Sequence, residues 1–132
     1  MLATHPYQVK ADEPLEYPDD GKPWWFTHLP AVRKVQADFD DLKPSWFTEF
    51  GWSHHANAAN VPNWSRGVTA QQQAEYAIRA LDYTKANYPY VEVAFWYKER
   101  VQSGATDTHL QGYAMLNADL SERPVYTALA DR

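Results

Sequence analysis

Apolar positions recur along this chain with two different periods, and the switches between them divide it into three successive strand–helix pairs. Residues 1–7 begin with Met1, Leu2 and Ala3 and stop at Pro6, which reads as a short strand entered from its middle, as an interior piece of a fold would be. In residues 44–53, Pro44 opens a β-rich run of Trp46, Phe47, Thr48 and Phe50 that Gly51 closes. Alternation places Ser45, Phe47 and Glu49 on one face of that strand and Trp46, Thr48 and Phe50 on the other. A third strand covers 90–97, with Val91, Val93, Phe95 and Tyr97 on one face and Glu92, Ala94 and Trp96 on the other.

The helical period follows each strand. Thr27 is the expected N-cap of a helix over 27–37, with Pro30 in its first turn and Leu29, Val32 and Val35 along one stripe. The clearest helix covers 68–87: Thr69 and Gln72 form a capping box, Ala74, Ala77, Ile78 and Leu81 recur at helical spacing, and Tyr88-Pro89 ends it. A last helix starts at Pro124 with Val125, Ala128 and Leu129 on one side. Three polar loops separate these elements. Residues 8–23 carry Asp12, Glu13, Glu16, Asp19 and Asp20 among prolines, in a spacing that matches no EF-hand calcium loop. Residues 53–66 are rich in His and Asn, and residues 98–111 are polar throughout. A repeated strand–helix order implies parallel strands joined by right-handed crossovers, in an open doubly wound sheet or a barrel.

Composition narrows the function. The six Trp and nine Tyr suit sugar binding as well as a core, because pyranose faces pack on flat rings whose N–H or O–H edges stay free. A net charge of −5 with no Lys/Arg cluster argues against nucleic acid or an anionic membrane as partner. With no cysteine there is neither a disulfide framework nor a thiolate site. None of the five glycines forms a phosphate-binding loop, so no nucleotide and no cofactor is implied. No apolar run approaches the roughly 20 residues that span a bilayer, and no export leader opens the chain.

Glu49 is the candidate chemical centre, since a lone carboxylate at the end of an aromatic strand must be hydrogen-bonded or in use. The plainer alternative is a rim glutamate held by polar neighbours. Trp24 and Trp25 are expected to pack on the following helix, and His54-His55 lacks the spacing of a zinc motif.

The run Trp46-Phe47-Thr48-Glu49-Phe50-Gly51-Trp52-Ser53 resembles the strand-seven motif of clan A glycoside hydrolases, the retaining (β/α)8-barrel enzymes that include cellulase-like and xylosidase-like families. His5-Pro6-Tyr7 resembles the end of strand six, residues 93–97 resemble strand eight, and the stretch from Gly112 to Leu129 resembles the closing segment of these barrels. The resemblance implies an α/β fold, a partial TIM barrel of three βα units. It implies Glu49 as catalytic nucleophile, Trp96 as a floor under the sugar, and His5, Tyr7, His54, His55 and Trp64 as substrate contacts. The implied partner is an oligo- or polysaccharide, and the implied location is extracellular.

Two departures stand against the family pattern. At 132 residues the chain is about half of the roughly 250 residues of a complete barrel. Retaining hydrolysis also needs a second carboxyl as acid/base, which the clan carries in an Asn-Glu pair at the end of strand four, and this sequence has no Asn-Glu pair. The expectation is therefore the C-terminal portion of a barrel, inactive alone and prone to self-association or to pairing with the missing portion. The alternatives are a non-catalytic carbohydrate-binding or structural domain with an aromatic cleft, and a metal-dependent hydrolase using His5, His54, His55 and His109.

Overall fold

Strands β1 (Leu2–Thr4), β2 (Ser45–Phe50) and β3 (Val91–Trp96) run parallel in the order β1-β2-β3. The structure is a computed structural model and describes residues 1–16, 21 and 25–132. Asp19, Asp20 and Trp24 therefore lie outside the described residues. Helices α1 (Leu29–Asp38), α2 (Ala70–Asn87) and α4 (Pro124–Ala130) follow the three strands in turn, and a short helix α3 (Thr108–Gly112) interrupts the last connection. The fold is mixed α/β around a small parallel sheet, as the alternating periods predict.

Local signals explain most of these boundaries. In α2 the Thr69 hydroxyl accepts from the Gln72 N–H at 3.1 Å while the Gln72 side chain accepts from the Thr69 N–H at 2.9 Å, the reciprocal cap that the sequence predicts. Pro124 opens α4. The expected cap at Thr27 is corrected: residues Phe26–His28 form a 3-10 turn, α1 starts at Leu29, and the buried Thr27 hydroxyl has no partner among the described residues. Helix α3 falls inside what the sequence presents as a loop, and only five residues long it shows no apolar period. Its local signal is Asp107, whose carboxylate accepts from the Leu110 N–H at 2.9 Å.

The faces of the sheet depart from strict alternation. Register shifts between Ser45 and Trp46 and between Phe47 and Phe50 put Phe47 opposite Ala94 and Phe50 opposite Trp96. Phe47 and Phe50 are consequently buried together, their ring centroids 6.3 Å apart, although three residues apart they would otherwise point to opposite sides. Val91 joins Ala94 and Trp96 against the same core instead of siding with Val93 and Phe95. Helices cover this face: Phe26, Leu29 and Ala80 pack with Phe47 and Phe50, and Trp96 continues into a second cluster of Ala74, Ala77 and Val125. Ser45 is wholly buried, and its hydroxyl has no partner among the described residues. Across the sheet, Trp46 and Phe95 meet at 6.4 Å, Phe95 stays 51% exposed, and the Trp46 indole N–H lies 3.5 Å from Glu92. One face is thus a packed core, while on the other Phe95 is left exposed among the described residues.

Candidate functional site

Because the strands are parallel, their C-terminal ends lie on one side. His5 and Tyr7 follow β1, Glu49 stands near the end of β2, and Tyr97 follows β3. These ends form one wall of a cavity of about 710 Å³. Trp25, Phe26, Leu29 and Val32 give it an apolar wall, and Trp64, His109 and Tyr113 arrive from the loops after β2 and β3.

Glu49 is the anchor of the polar end. The Tyr7 hydroxyl donates to Glu49 Oε2 at 3.1 Å, and His5 Nδ1 stands 3.7 Å from the same oxygen, with the His5 and Glu49 side chains 52% and 38% exposed. Among the described residues nothing bonds Oε1, so one carboxylate oxygen is steered by the protein and the other is left to the cavity. Burial, and then the negative charge of Glu49, push the Tyr7 phenol far above the usual range. The shift favours the protonated phenol, the form that donates to Glu49. Burial also pushes Tyr113 up to about 12, with Tyr97 adding to the shift. The His109 imidazole is held below its ordinary value by burial first and by His55 second, which favours its neutral form.

Of the residues singled out in the sequence, His5, Tyr7, Glu49 and Trp64 share this cavity. Trp96, expected as the floor under a sugar, does not line it. Its indole stands edge-on to Phe50 at 5.4 Å, packs toward α2 and α4, and donates its N–H to the Tyr113 carbonyl at 2.9 Å. It lies on the same side of β3 as Ala94, two residues earlier, and that is the side packed against the core. His54 is likewise set apart, its Nδ1 lying 3.1 Å from the Val68 carbonyl oxygen. His55 sits behind the wall, with Nε2 3.1 Å from Nδ1 of His109.

Tyr97 and Tyr113, which the sequence reading did not single out, line the cavity, and their rings meet at 5.6 Å. Tyr113 also stands edge-on to Tyr7 at 5.8 Å. Gly112 allows α3 to lie close against the loop after β2, because a Cβ there would run into Ser53 Oγ and lie 2.7 Å from the His54 carbonyl oxygen. Ser53 donates to the His109 carbonyl at 2.6 Å and Gln73 donates to the Gly112 carbonyl at 2.8 Å, fixing α3 against the loop after β2. The Gly112-Tyr113 pair was the signal in the sequence. Trp25, expected to pack beside the helix start, is buried and lines the cavity as well.

The chemical capacity of the arrangement is that of an oriented carboxylate in an aromatic cleft. Among the described residues that line the cavity, Glu49 is the one carboxylate, and no group of three or more His, Cys, Asp or Glu is placed to hold a metal ion.

No protein-family model and no curated protein sequence matches the chain. Solved structures do match. A family 39 glycoside hydrolase from the gut symbiont Bacteroides cellulosilyticus WH2 aligns over 96% of this chain and 26% of its own, with a TM-score of 0.63 and 20% identity. The β-glucuronidase of Faecalibacterium prausnitzii aligns over 98% of this chain and 21% of its own, with a TM-score of 0.54 and 14% identity. The β-glucuronidase of Bifidobacterium dentium, complexed with coumarin-3-O-glucuronide, aligns over 77% of this chain and 17% of its own, with a TM-score of 0.51 and 14% identity. The chain thus spans about a quarter or less of the solved proteins it resembles. At this level of identity the likeness is one of fold: successive βα units around a small parallel sheet, as in part of a TIM barrel.

Proposed function

We propose that residues 1–132 are the C-terminal portion of a retaining glycoside hydrolase barrel, with β1, β2 and β3 in the places of its sixth, seventh and eighth strands. The observation that carries this reading is the Glu49 carboxylate at the C-terminal end of the central strand, held by Tyr7 on the wall of an aromatic cavity. In the proposed reaction Glu49 attacks the anomeric carbon of an O-glycoside. The bond to the leaving-group oxygen breaks as the glycosyl ester forms, and water later hydrolyses that ester. Tyr7 and His5 orient the nucleophile, and Trp64 offers a sugar platform at the rim.

The acid/base carboxyl, roughly 5–5.5 Å from the nucleophile in such enzymes, would come from the portion of barrel that this chain does not span. Loss of general-acid help typically costs about 10²–10⁴-fold, so the chain alone is expected to leave unactivated glycosides intact. A dinitrophenyl leaving group departs without protonation and removes that requirement. Incubating the chain with a panel of dinitrophenyl 2-deoxy-2-fluoroglycosides should leave a stable glycosyl adduct on Glu49, read by intact and peptide mass. The absence of any adduct, or its persistence in Glu49→Gln, would overturn the proposal.

A second reading, carbohydrate binding without chemistry, is favoured by the lack of a second carboxylate among the described cavity residues. Glycan-array binding that survives Glu49→Gln but not Trp64→Ala, with no trapped adduct, would select it.

A further inference from the structure

His55, His109 and Tyr113 come from separate loops and form a hydrogen-bond series whose direction the chemistry fixes. His55 Nδ1 lies 3.0 Å from the Ala56 carbonyl oxygen, which can only accept, so Nδ1 carries the proton of the neutral ring and His55 Nε2 is bare. That nitrogen is 3.1 Å from His109 Nδ1. His109 must therefore donate from Nδ1, which leaves its own Nε2 as an acceptor on a side chain that lines the cavity. The neighbouring group is the Tyr113 hydroxyl at 3.4 Å, longer than a well-formed O–H···N bond, so the acceptor is underused. Trp64, a residue 65% exposed, stands perpendicular to His109 at 6.1 Å between ring centroids.

We propose that His109 is a ligand-binding residue of the cavity, accepting a hydrogen bond from a hydroxyl of a neutral sugar at Nε2 while the sugar ring lies on Trp64, and that His55 is the positioning residue that sets this acceptor. The inference rests on the glycoside reading only for the identity of the hydroxyl. It needs neither Glu49 nor turnover. When the His109 ring is protonated, Nε2 carries a hydrogen and donates as well, and the acceptor site is lost. Of the groups that face His109, Asp107 has a charge that favours the protonated ring, His55 disfavours it, and the Tyr113 hydroxyl lies 3.4 Å from Nε2.

Long-range 1H–15N correlation spectra of the histidine rings read the arrangement directly in the wild-type chain. His109 is expected in the Nδ1–H tautomer, which an isolated imidazole side chain disfavours. His55→Ala should return it to the Nε2–H form, and His55→Gln, whose carbonyl can still accept, should keep Nδ1–H. Titration with xylobiose, cellobiose, mannobiose and galactobiose should then give a saturable shift of the His109 Nε2 resonance with at least one of them. That shift should be lost in His55→Ala and retained in His55→Gln. An Nε2–H tautomer in the wild-type chain, or an Nε2 resonance that none of the four sugars moves, overturns the proposal. Failure of Glu49 to trap a fluoroglycoside while the Nε2 shift persists would overturn the hydrolytic reading and leave this one standing.

Discussion

The Tyr7 hydroxyl and the Glu49 carboxylate, 42 residues apart in the chain, meet at 3.1 Å across the ends of β1 and β2. The bond exists because the two strands are parallel neighbours, with Leu2 opposite Ser45 and Thr4 opposite Phe47. It ties one carboxylate oxygen to the cavity wall.

Removing that donor should slow the chemistry of Glu49 more than it harms the fold. A hydrogen bond to a charged group contributes about 1.5–3 kcal/mol, so Tyr7→Phe should reduce the rate of fluoroglycoside trapping by about 10- to 100-fold. The thermal midpoint should move little, because the ring still packs against Tyr113. An unchanged trapping rate would show that Tyr7 does not orient the nucleophile.

The buried phenols predict loss of stability in alkali. A phenol whose folded pKa is raised keeps a proton that the unfolded chain has released, so its contribution is intact below the unfolded value of about 10 and disappears as pH rises toward the folded value. For Tyr113 the folded value is about 12, and for Tyr7 the shift is upward as well. Urea midpoints should therefore fall as pH is raised from about 9.5 to about 11.5, across the unfolded phenol value. The fall should be shallower in Tyr113→Phe, and equal slopes in the two proteins would rule the mechanism out.

Gly112→Ala places a methyl group where Ser53 Oγ and the His54 backbone already lie. Overpacking of this kind costs about 1–3 kcal/mol. The expected result is a lowered urea midpoint together with altered near-UV circular dichroism, since His109 and Tyr113 move with α3. A midpoint equal to that of the parent chain would contradict the packing described here.

Thr69→Ala removes the hydroxyl half of the α2 capping box. The loss should be about 1 kcal/mol, a fall in Tm of roughly 3–5 °C for a chain of this size. A melt followed by near-UV circular dichroism measures it, and restoration by Thr69→Ser would assign the effect to the cap.

The open face of the sheet predicts association. Trp46, Val93 and Phe95 present apolar surface with no covering element among the described residues, and Phe95 is 51% exposed. Sedimentation of the chain should show concentration-dependent oligomers that Phe95→Lys weakens. A monomer across the accessible concentration range would remove this expectation.

What the sequence determined by itself is local. The capping box of Thr69 and Gln72, the proline that opens α4 and the β-rich run closed by Gly51 each act within a few residues, so their elements were legible without any knowledge of the fold. The placing of Glu49 at a strand end was legible for the same reason. Tertiary structure alone decided which side chains meet. A register shift between β2 and β3 buried Phe47 beside Phe50, because the burial of a shared apolar face outweighs strict alternation along one strand, and the packing of α2 and α4 on the Ala94 side of β3 made Trp96 a core residue. Helix α3 is too short to show a period, yet Gln73 and Ser53 hold it where His109 faces His55 and Tyr113 faces Tyr7. Such pairings depend on contacts between residues far apart in the chain, and no short-range pattern encodes them.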